Sequence, residues 1–437
     1  MDIVEQVKRS GVVGAGGAGF PAWKKLSARA EYVIANGSEC EPLIRVDQQL
    51  MTRYACELVE GMRLAMEATG AKKGIIALKN KYHRAVTALE GCAARGDIAI
   101  HLLDNYYPAG DEQALVCDVT GRIVPEGGIP LDIGVVVQNV GTLINIRRAR
   151  DGRAVTHRWL TVTGAVREPK TICVPVGTSV ADVLRAAGGP LVAPYAVIDG
   201  GPMMGVESCG VARKTTTSLI VLPEDHKLIR YKRKDIAYDV KIARSACEGC
   251  RFCTDLCPRF LLGHTLEPHA IMGAVAYQSA EEIDPRVVAQ AYLCCQCGLC
   301  GMYACPTMLS PERIIRALAV DLKKAGAKPI HRRPRPTALP ERDYRRSPVP
   351  ALVERFELGG YEAEAPLVDA PLETGSVRIP LKQHVGVPCV PAVKEGDRVK
   401  VGDLIADVPA GALGAPLHAS ITGVVSAVGP EGIELRA

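Results

Sequence analysis

Apolar and polar positions change period several times along the chain, and each change marks a module. Residues 2–9 put Ile3, Val4 and Val7 on one helical face, which predicts a short helix packing on the first module, with a targeting helix as the other reading. Tyr32–Ala35, residues 74–79 and residues 98–103 are short apolar runs of strand type. Helical patterns over 45–69 and 81–94 separate them, and a further apolar run, Val135–Val137, comes later. Such alternation predicts a mainly parallel α/β sheet over residues 1–150. Residues 151–240 read as two short strands, a helix at 179–187 and more strand, a β-grasp pattern. Over 241–326 the pattern is helical, ending in an amphipathic stretch from Leu309 to Ala325 opened by Ser310-Pro311-Glu312. Residues 327–375 read as an extended, partly polyproline linker. Residues 376–437, rich in glycine and β-branched residues, predict a small all-β sandwich or barrel. The fold class is therefore multidomain α/β and α+β.

Composition narrows the function classes. At 437 residues with 48% hydrophobic and 23% charged content, the chain is of ordinary globular type. Aromatics make up only 4%, which argues against a stacking surface for nucleic acid. Residues 328–350 hold seven basic side chains against Glu341 and Asp343, as much as the whole net charge of +5. A basic docking strand is the only charge feature left to consider. No apolar run approaches the ~18 residues of a membrane helix, and Asp2 and Glu5 in an N-terminus without an apolar core argue against a secretory signal. The expectation is a cytoplasmic protein that is not integral to a membrane.

Cysteine changes this picture most. Nine of the sixteen cysteines lie between Cys247 and Cys305. The first loop runs Cys247-x2-Cys250-x2-Cys253-x3-Cys257-Pro258, the ferredoxin signature in which the fourth thiolate serves the other cluster. The second has Cys294, Cys297, Cys300 and Cys305-Pro306, with four residues before Cys305 where three are usual. The spacing pairs Cys247, Cys250 and Cys253 with Cys305, and Cys294, Cys297 and Cys300 with Cys257, for two [4Fe–4S] clusters. Cys295 breaks the spacing and reads as a spare thiol. Zinc favours separated CxxC pairs, and disulfide frameworks suit small secreted domains, so neither explains the run. Cys173 and Cys209 read as core thiols, and His264 and His269 as ordinary polar residues.

The first module carries polar groups where an open α/β sheet places its ligand. Gly14-Ala-Gly16-Gly17-Ala-Gly19-Phe20-Pro21 is a loop in which a backbone without Cβ can approach a phosphate, with Lys25 following. Asn36-Gly-Ser-Glu39-Cys-Glu41-Pro, Tyr107-Pro-Ala-Gly-Asp111-Glu112 and Asn139-Val-Gly-Thr142 come next, in that order. These segments together resemble the flavin subunit of respiratory complex I and the C subunit of the Rnf complex. The resemblance implies a Rossmann-like domain binding FMN around Gly14, Gly16, Gly17 and Gly19, with flavin contacts from Lys25, Asn36, Asp111, Glu112, Asn139 and Thr142. Glu39 and Tyr107 belong to the same matching segments. It further implies that Phe20 and Glu41 meet NADH. Ala15 and Gly141 stand where the complex I subunit has arginine and glutamate.

By the same resemblance, residues 151–240 are an SLBB β-grasp module, read as an interdomain spacer in which Met203 and Met204 pack. The last module resembles the Rnf barrel-sandwich hybrid domain. That domain is lipoyl-like in shape, but no lysine follows Lys400 to carry a lipoyl group, so a docking role is expected. Barrel after clusters, instead of before the flavin domain, resembles the PduS family of cobalamin reductases of propanediol-utilising bacterial microcompartments. The implied function is electron transfer from NADH to FMN to two [4Fe–4S] clusters to a one-electron acceptor, most readily cobalamin in support of a diol dehydratase. Implied partners are cobalamin or a cobalamin-handling protein, with microcompartment shell proteins and an adenosyltransferase as further candidates. The alternatives are an Rnf-type subunit between NADH and ferredoxin, and a relay with clusters but no flavin.

Overall fold

The structure, a computed structural model, describes residues 1–278 and 282–437. Its first module is a four-stranded parallel sheet in the order 98–103, 73–79, 32–37, 135–139. The first strand added neighbours on one side twice, then received the last strand on its other side. That reversal opens a crevice at the carboxyl ends of strands 32–37 and 135–139. Asn36 and Asn139 are register partners at that end. The expected helix over 45–69 is two helices, Val46–Arg53 and Ala55–Thr69, broken at Tyr54. The N-terminal helix Ile3–Arg9 buries Ile3 and Val7 in the same core, so its apolar face is covered.

Residues 157–223 form a mixed five-stranded sheet around helix Val180–Ala186, as a β-grasp unit should. The dicluster region is helical: Ile236–Ala246, Pro268–Tyr277, Pro285–Ala289 and Pro311–Lys324 surround the two cysteine loops. The C-terminal module packs a four-stranded against a three-stranded sheet over its own apolar core.

Expectations for the linker and for the cysteines outside the run are corrected. The stretch expected as an extended linker is built into the body. Ser347–Pro348 pairs antiparallel with Tyr106–Tyr107, and helix Val349–Arg355 buries Val349, Leu352 and Val353. Further on, Val368 and Leu372 donate backbone N–H groups to Thr171 and Cys173 of the β-grasp sheet. The second half of the basic run is tied to the body, while Lys328, Arg332 and Arg335 stay exposed. Arg342 and Arg346 both reach Asp118 Oδ1, at 2.7 and 3.0 Å, and Tyr106 donates its hydroxyl to the same carboxylate. Arg345 pairs with Asp255 of the first cysteine loop at 3.2 Å. Disulfides are not absent, since Cys56 and Cys92, on two helices packed on the first sheet, are joined. Cys173 is buried as expected, but Cys209 is exposed.

One side chain joins three modules. Lys214, 3% exposed, donates from Nζ to the carbonyls of Gly11 at 2.9 Å and Pro416 at 2.8 Å, while its own N–H reaches Gln383 Oε1. Burial pushes its ammonium down to about 7. A neutral amine still has two hydrogens for those two carbonyls.

Two outcomes are expected of this wiring. Asp118→Ala leaves two guanidinium groups without their shared carboxylate, although Asp343 still meets both and Asp104 meets Arg346. It should destabilise the native state by about 1–3 kcal/mol. Denaturant titration would register that loss, with faster protease cutting in residues 333–358. For Lys214, the unfolded side chain keeps its proton to about 10.4, so between about 7 and that value the unfolded chain binds more protons. Its contribution therefore makes stability rise with pH across that window and stay flat below it. Lys214→Met should remove that slope in denaturation midpoints compared across the window.

Candidate functional site

The crevice at the carboxyl ends of strands 32–37 and 135–139 opens into a cavity of about 570 Å³, within the range of roughly 300–1,000 Å³ usual for small-molecule sites. Its floor is the glycine loop. Gly14 N–H donates to Phe20 O at 2.8 Å, closing the loop on itself. The loop precedes the first strand instead of following it, so it is not a Rossmann fingerprint turn. Gly17 has φ +109° and faces open space, a conformation that suits glycine. At Gly16 a Cβ would come within 3.4 Å of the Asn139 amide.

Polar side chains line the rest. Lys25 Nζ donates to Glu112 Oε1 at 2.6 Å and to Val137 O at 3.0 Å. Asn36 Nδ2 donates to Gly110 O. Asn139 caps helix Val140–Arg150 by accepting from Gly141 N–H, and donates to Asp47 Oδ2 at 2.7 Å. Glu39 accepts from the Asp47 and Gln48 N–H groups. Burial, with the Asp47 carboxylate beside it, pushes Glu39 up to about 8, and burial raises Asp47 to about 6.

Of the expected residues, Gly14, Gly16, Gly17, Phe20, Lys25, Asn36, Glu39, Glu41, Tyr107, Asp111, Glu112 and Asn139 line this cavity. Thr142 does not. It is buried behind the loop, where its hydroxyl accepts from Ala15 N–H at 2.9 Å. Gly19 does not either. It sits at the joint with the last module, where its carbonyl accepts from Val385 N–H. Glu41 lines the cavity, but its two oxygens accept from Met203 and Met204 N–H groups at 2.8 and 2.7 Å. The two departures fit each other, since a Cβ on Gly141 would lie 3.3 Å from Ala15 Cβ.

The β-grasp unit is a wall of the cavity and not only a spacer: Asp199, Gly200, Gly201, Arg213, Thr215 and Thr217 line it. Met203 packs as expected, but Met204 is exposed at the cavity edge. Buried Arg158 braces this wall by donating to Ala15 O and Thr216 O at 2.5 and 2.6 Å.

The cysteines gather as their spacing predicts. Cys247, Cys250, Cys253 and Cys305 line one small cavity; Cys257, Cys294, Cys297 and Cys300 line a second, together with Cys295. Among the described residues no three His, Cys, Asp or Glu converge tightly enough for a single metal ion. The thiols ring voids. The extra residue before Cys305 is taken up by a π-helical turn at Leu299–Tyr303, the usual way a helix absorbs an insertion. Burial pushes the Cys253 and Cys257 thiols up to about 12, so a positive centre is needed to hold them as thiolates. His264 and His269 meet Val124 O and Thr254 Oγ1.

What sequence reading missed is the joint between cavities. Cys295 and Cys297 line both the glycine-loop cavity and the second cysteine cavity. Tyr107, buried, donates its hydroxyl to Cys297 O at 2.6 Å. The doubled Cys294-Cys295 was the available signal.

Four family descriptions match successive parts of the chain: the Nuo51 FMN-binding domain at residues 7–148, the SLBB domain at 160–207, a 4Fe-4S dicluster domain at 246–310 and the RnfC barrel sandwich hybrid domain at 361–435. The C subunit of the Na(+)-translocating ferredoxin:NAD(+) oxidoreductase complex of Acetobacterium woodii is 36% identical over 59% of this chain and 57% of its own length. Cobalamin reductase PduS of Citrobacter freundii is 45% identical over 99% of this chain and 95% of its own. The Salmonella typhimurium protein of the same name is 45% identical over 99% and 96%. With an FMN-binding domain, a dicluster domain and this likeness along its length, the chain is an oxidoreductase that belongs to the PduS family of cobalamin reductases.

Proposed function

We propose that this chain moves electrons from NADH, by way of FMN in the glycine-loop cavity and two [4Fe–4S] clusters in the cysteine cavities, to cobalamin. One observation carries the reading: Cys295 and Cys297 line the same cavity as Gly14, Gly16 and Gly17, so two redox sites share a wall. The residues fit the groups. The open face at Gly17 and the cavity volume suit a phosphate-bearing flavin, and each cysteine cavity is ringed by the four thiols that a cubane needs. When bound, a flavin exchanges electrons in pairs or singly, whereas a cubane carries one.

The chain's own part is to hold, orient and shield. The glycine loop offers backbone N–H groups to a phosphate. Lys25, Asn36, Asn139 and Glu112 fix the polar edge, while Asp111 and Tyr107 brace it against the cluster arm. Glu39 and Asp47, raised toward neutrality, provide a place for a proton beside the flavin. Phe20 and Glu41 stand at the cavity for the nicotinamide nucleotide, with Glu41 already engaged by the β-grasp turn.

Cobalamin as acceptor is supported by the end-to-end likeness to proteins named cobalamin reductase. The same likeness supports work in a bacterial microcompartment beside a diol dehydratase, an adenosyltransferase and shell proteins. Among the described residues no helix is long and apolar enough to cross a membrane.

The test is anaerobic. Protein replete in FMN and clusters should reduce cobalamin with NADH. Activity toward ferredoxin but not cobalamin would move the chain to the Rnf reading, and no NADH-dependent reduction of any one-electron acceptor would end the proposal. Cys297→Ala should take iron from about eight to about four per chain. It should cut NADH-driven acceptor reduction by more than ~100-fold, beyond the usual loss for an outer-shell partner, while NADH still bleaches the flavin. Gly16→Val should cost about 1–3 kcal/mol by overpacking against Asn139, roughly tenfold or more in FMN retention. Iron content should stay at the parent level.

A further inference from the structure

A buried ion pair stands at the joint between the flavin cavity and the second cysteine cavity. Asp111 lines the flavin cavity and caps its own helix by accepting from Ala114 N–H. Arg259 lies in the short helix Pro258–Leu261 that Cys257 opens. Its side chain is almost wholly enclosed, the residue being 8% exposed. Nη2 donates to Asp111 Oδ1 at 2.8 Å, whereas Nε and Nη1 are buried with no oxygen or nitrogen to accept from them, and the sulfur of Cys295 is the acceptor the guanidinium meets.

A buried guanidinium whose donors reach only one carboxylate and a sulfur is under-satisfied, so the site favours arginine where more sulfur accepts. The neighbours that feel its charge are Asp111 and the sulfurs of Cys295 and Cys257. Both of those sulfurs line the second cavity. A cluster there brings further sulfur and net negative charge. Reduction adds one more electron, and a cation with hydrogen bonds to sulfur favours the reduced form. The first cavity has no such enclosed cation in its lining: its Arg251 is half exposed, 3.8 Å from Glu267.

We propose that Arg259 is a positioning residue that raises the reduction potential of the cluster held by Cys257, Cys294, Cys297 and Cys300, with Asp111 limiting the rise through its ion pair. This rests on the two-cluster reading above. Buried Glu312, in the same lining and 4.0 Å from Cys300 Sγ, opposes that rise. The pair also fastens the flavin module to the arm bearing Cys257, so the group that tunes the cluster fixes its place.

The test uses the full chain with clusters and FMN. Iron is counted first. About eight per chain upholds the two-cluster reading, and four or fewer defeats that reading whatever Arg259 does. Redox titration followed by electron paramagnetic resonance then compares the parent with Arg259→Gln, Arg259→Lys and Asp111→Asn. Arg259→Gln should lower one cluster's potential by about 59 mV, the one-electron equivalent of a tenfold change in the reduced-to-oxidised ratio. Arg259→Lys should recover part of that shift. Asp111→Asn should move the same cluster upward, which keeps the proposal testable if Arg259→Gln fails to assemble. Unchanged potentials in the variants that assemble, or equal shifts of both clusters, overturn it.

Discussion

Cys295 and Cys297 form a wall common to two cavities, and much of the long-range wiring keeps that wall in place. The second cysteine loop brings no strand of its own to dock on the flavin sheet. It packs in one apolar cluster with Leu43 and Tyr107, and single polar contacts set the register: Tyr107 holds the Cys297 carbonyl, and Arg259, on the arm that follows Cys257, holds Asp111. Each partner is buried, so each contact leaves an unsatisfied polar group if the two modules separate. Apolar packing is non-directional and could tolerate a small slip between them. Directed hydrogen bonds under burial cannot, and this makes the shared wall a fixed geometry.

The strap over residues 342–358 acts on the same joint from outside. Asp118 lies on the helix that Asp111 caps, so Arg342 and Arg346 grip that helix while Arg345 grips the first cysteine loop at Asp255. A buried ion pair is weak evidence for net stability, because desolvation offsets attraction. Its directional demand is better evidence for register. Prolines on both sides stiffen the strap, which lowers the entropy lost in fixing it.

Local spacing made much of this legible. The cysteine pattern announced both groups of thiols, and the four polar segments of the first module pointed to one crevice. Asn36 and Asn139 meet because each ends an apolar run, and those two runs become paired neighbouring strands. What stayed hidden depends on distance along the chain. Nothing near Arg213 or Thr215 says that the β-grasp unit will close a cavity opened two hundred residues earlier. Proline and arginine in the strap resemble a solvated linker until Asp118 is placed beside them. Cys56 and Cys92 each sit alone in a helix, and only the packing of those helices makes them a pair. Arg259 looked like one more charge after a cysteine, and its meaning came from burial.

Burial also makes the two cysteine cavities unequal. Cys257, Cys297 and Cys300 are buried, and the second cavity is lined by residues 257–315 of the dicluster region itself. Around the first cavity Cys250 is exposed, and Phe252 and Tyr277 show large apolar surfaces nearby. Solvent exposure and charge both move cluster potentials, so the two sites are unequal before any partner arrives. The shielded site is the one that shares Cys295 and Cys297 with the flavin-side cavity, and the site with apolar side chains exposed around it lies away from that wall, so the fold gives the two groups of thiols different neighbours as well as different burial.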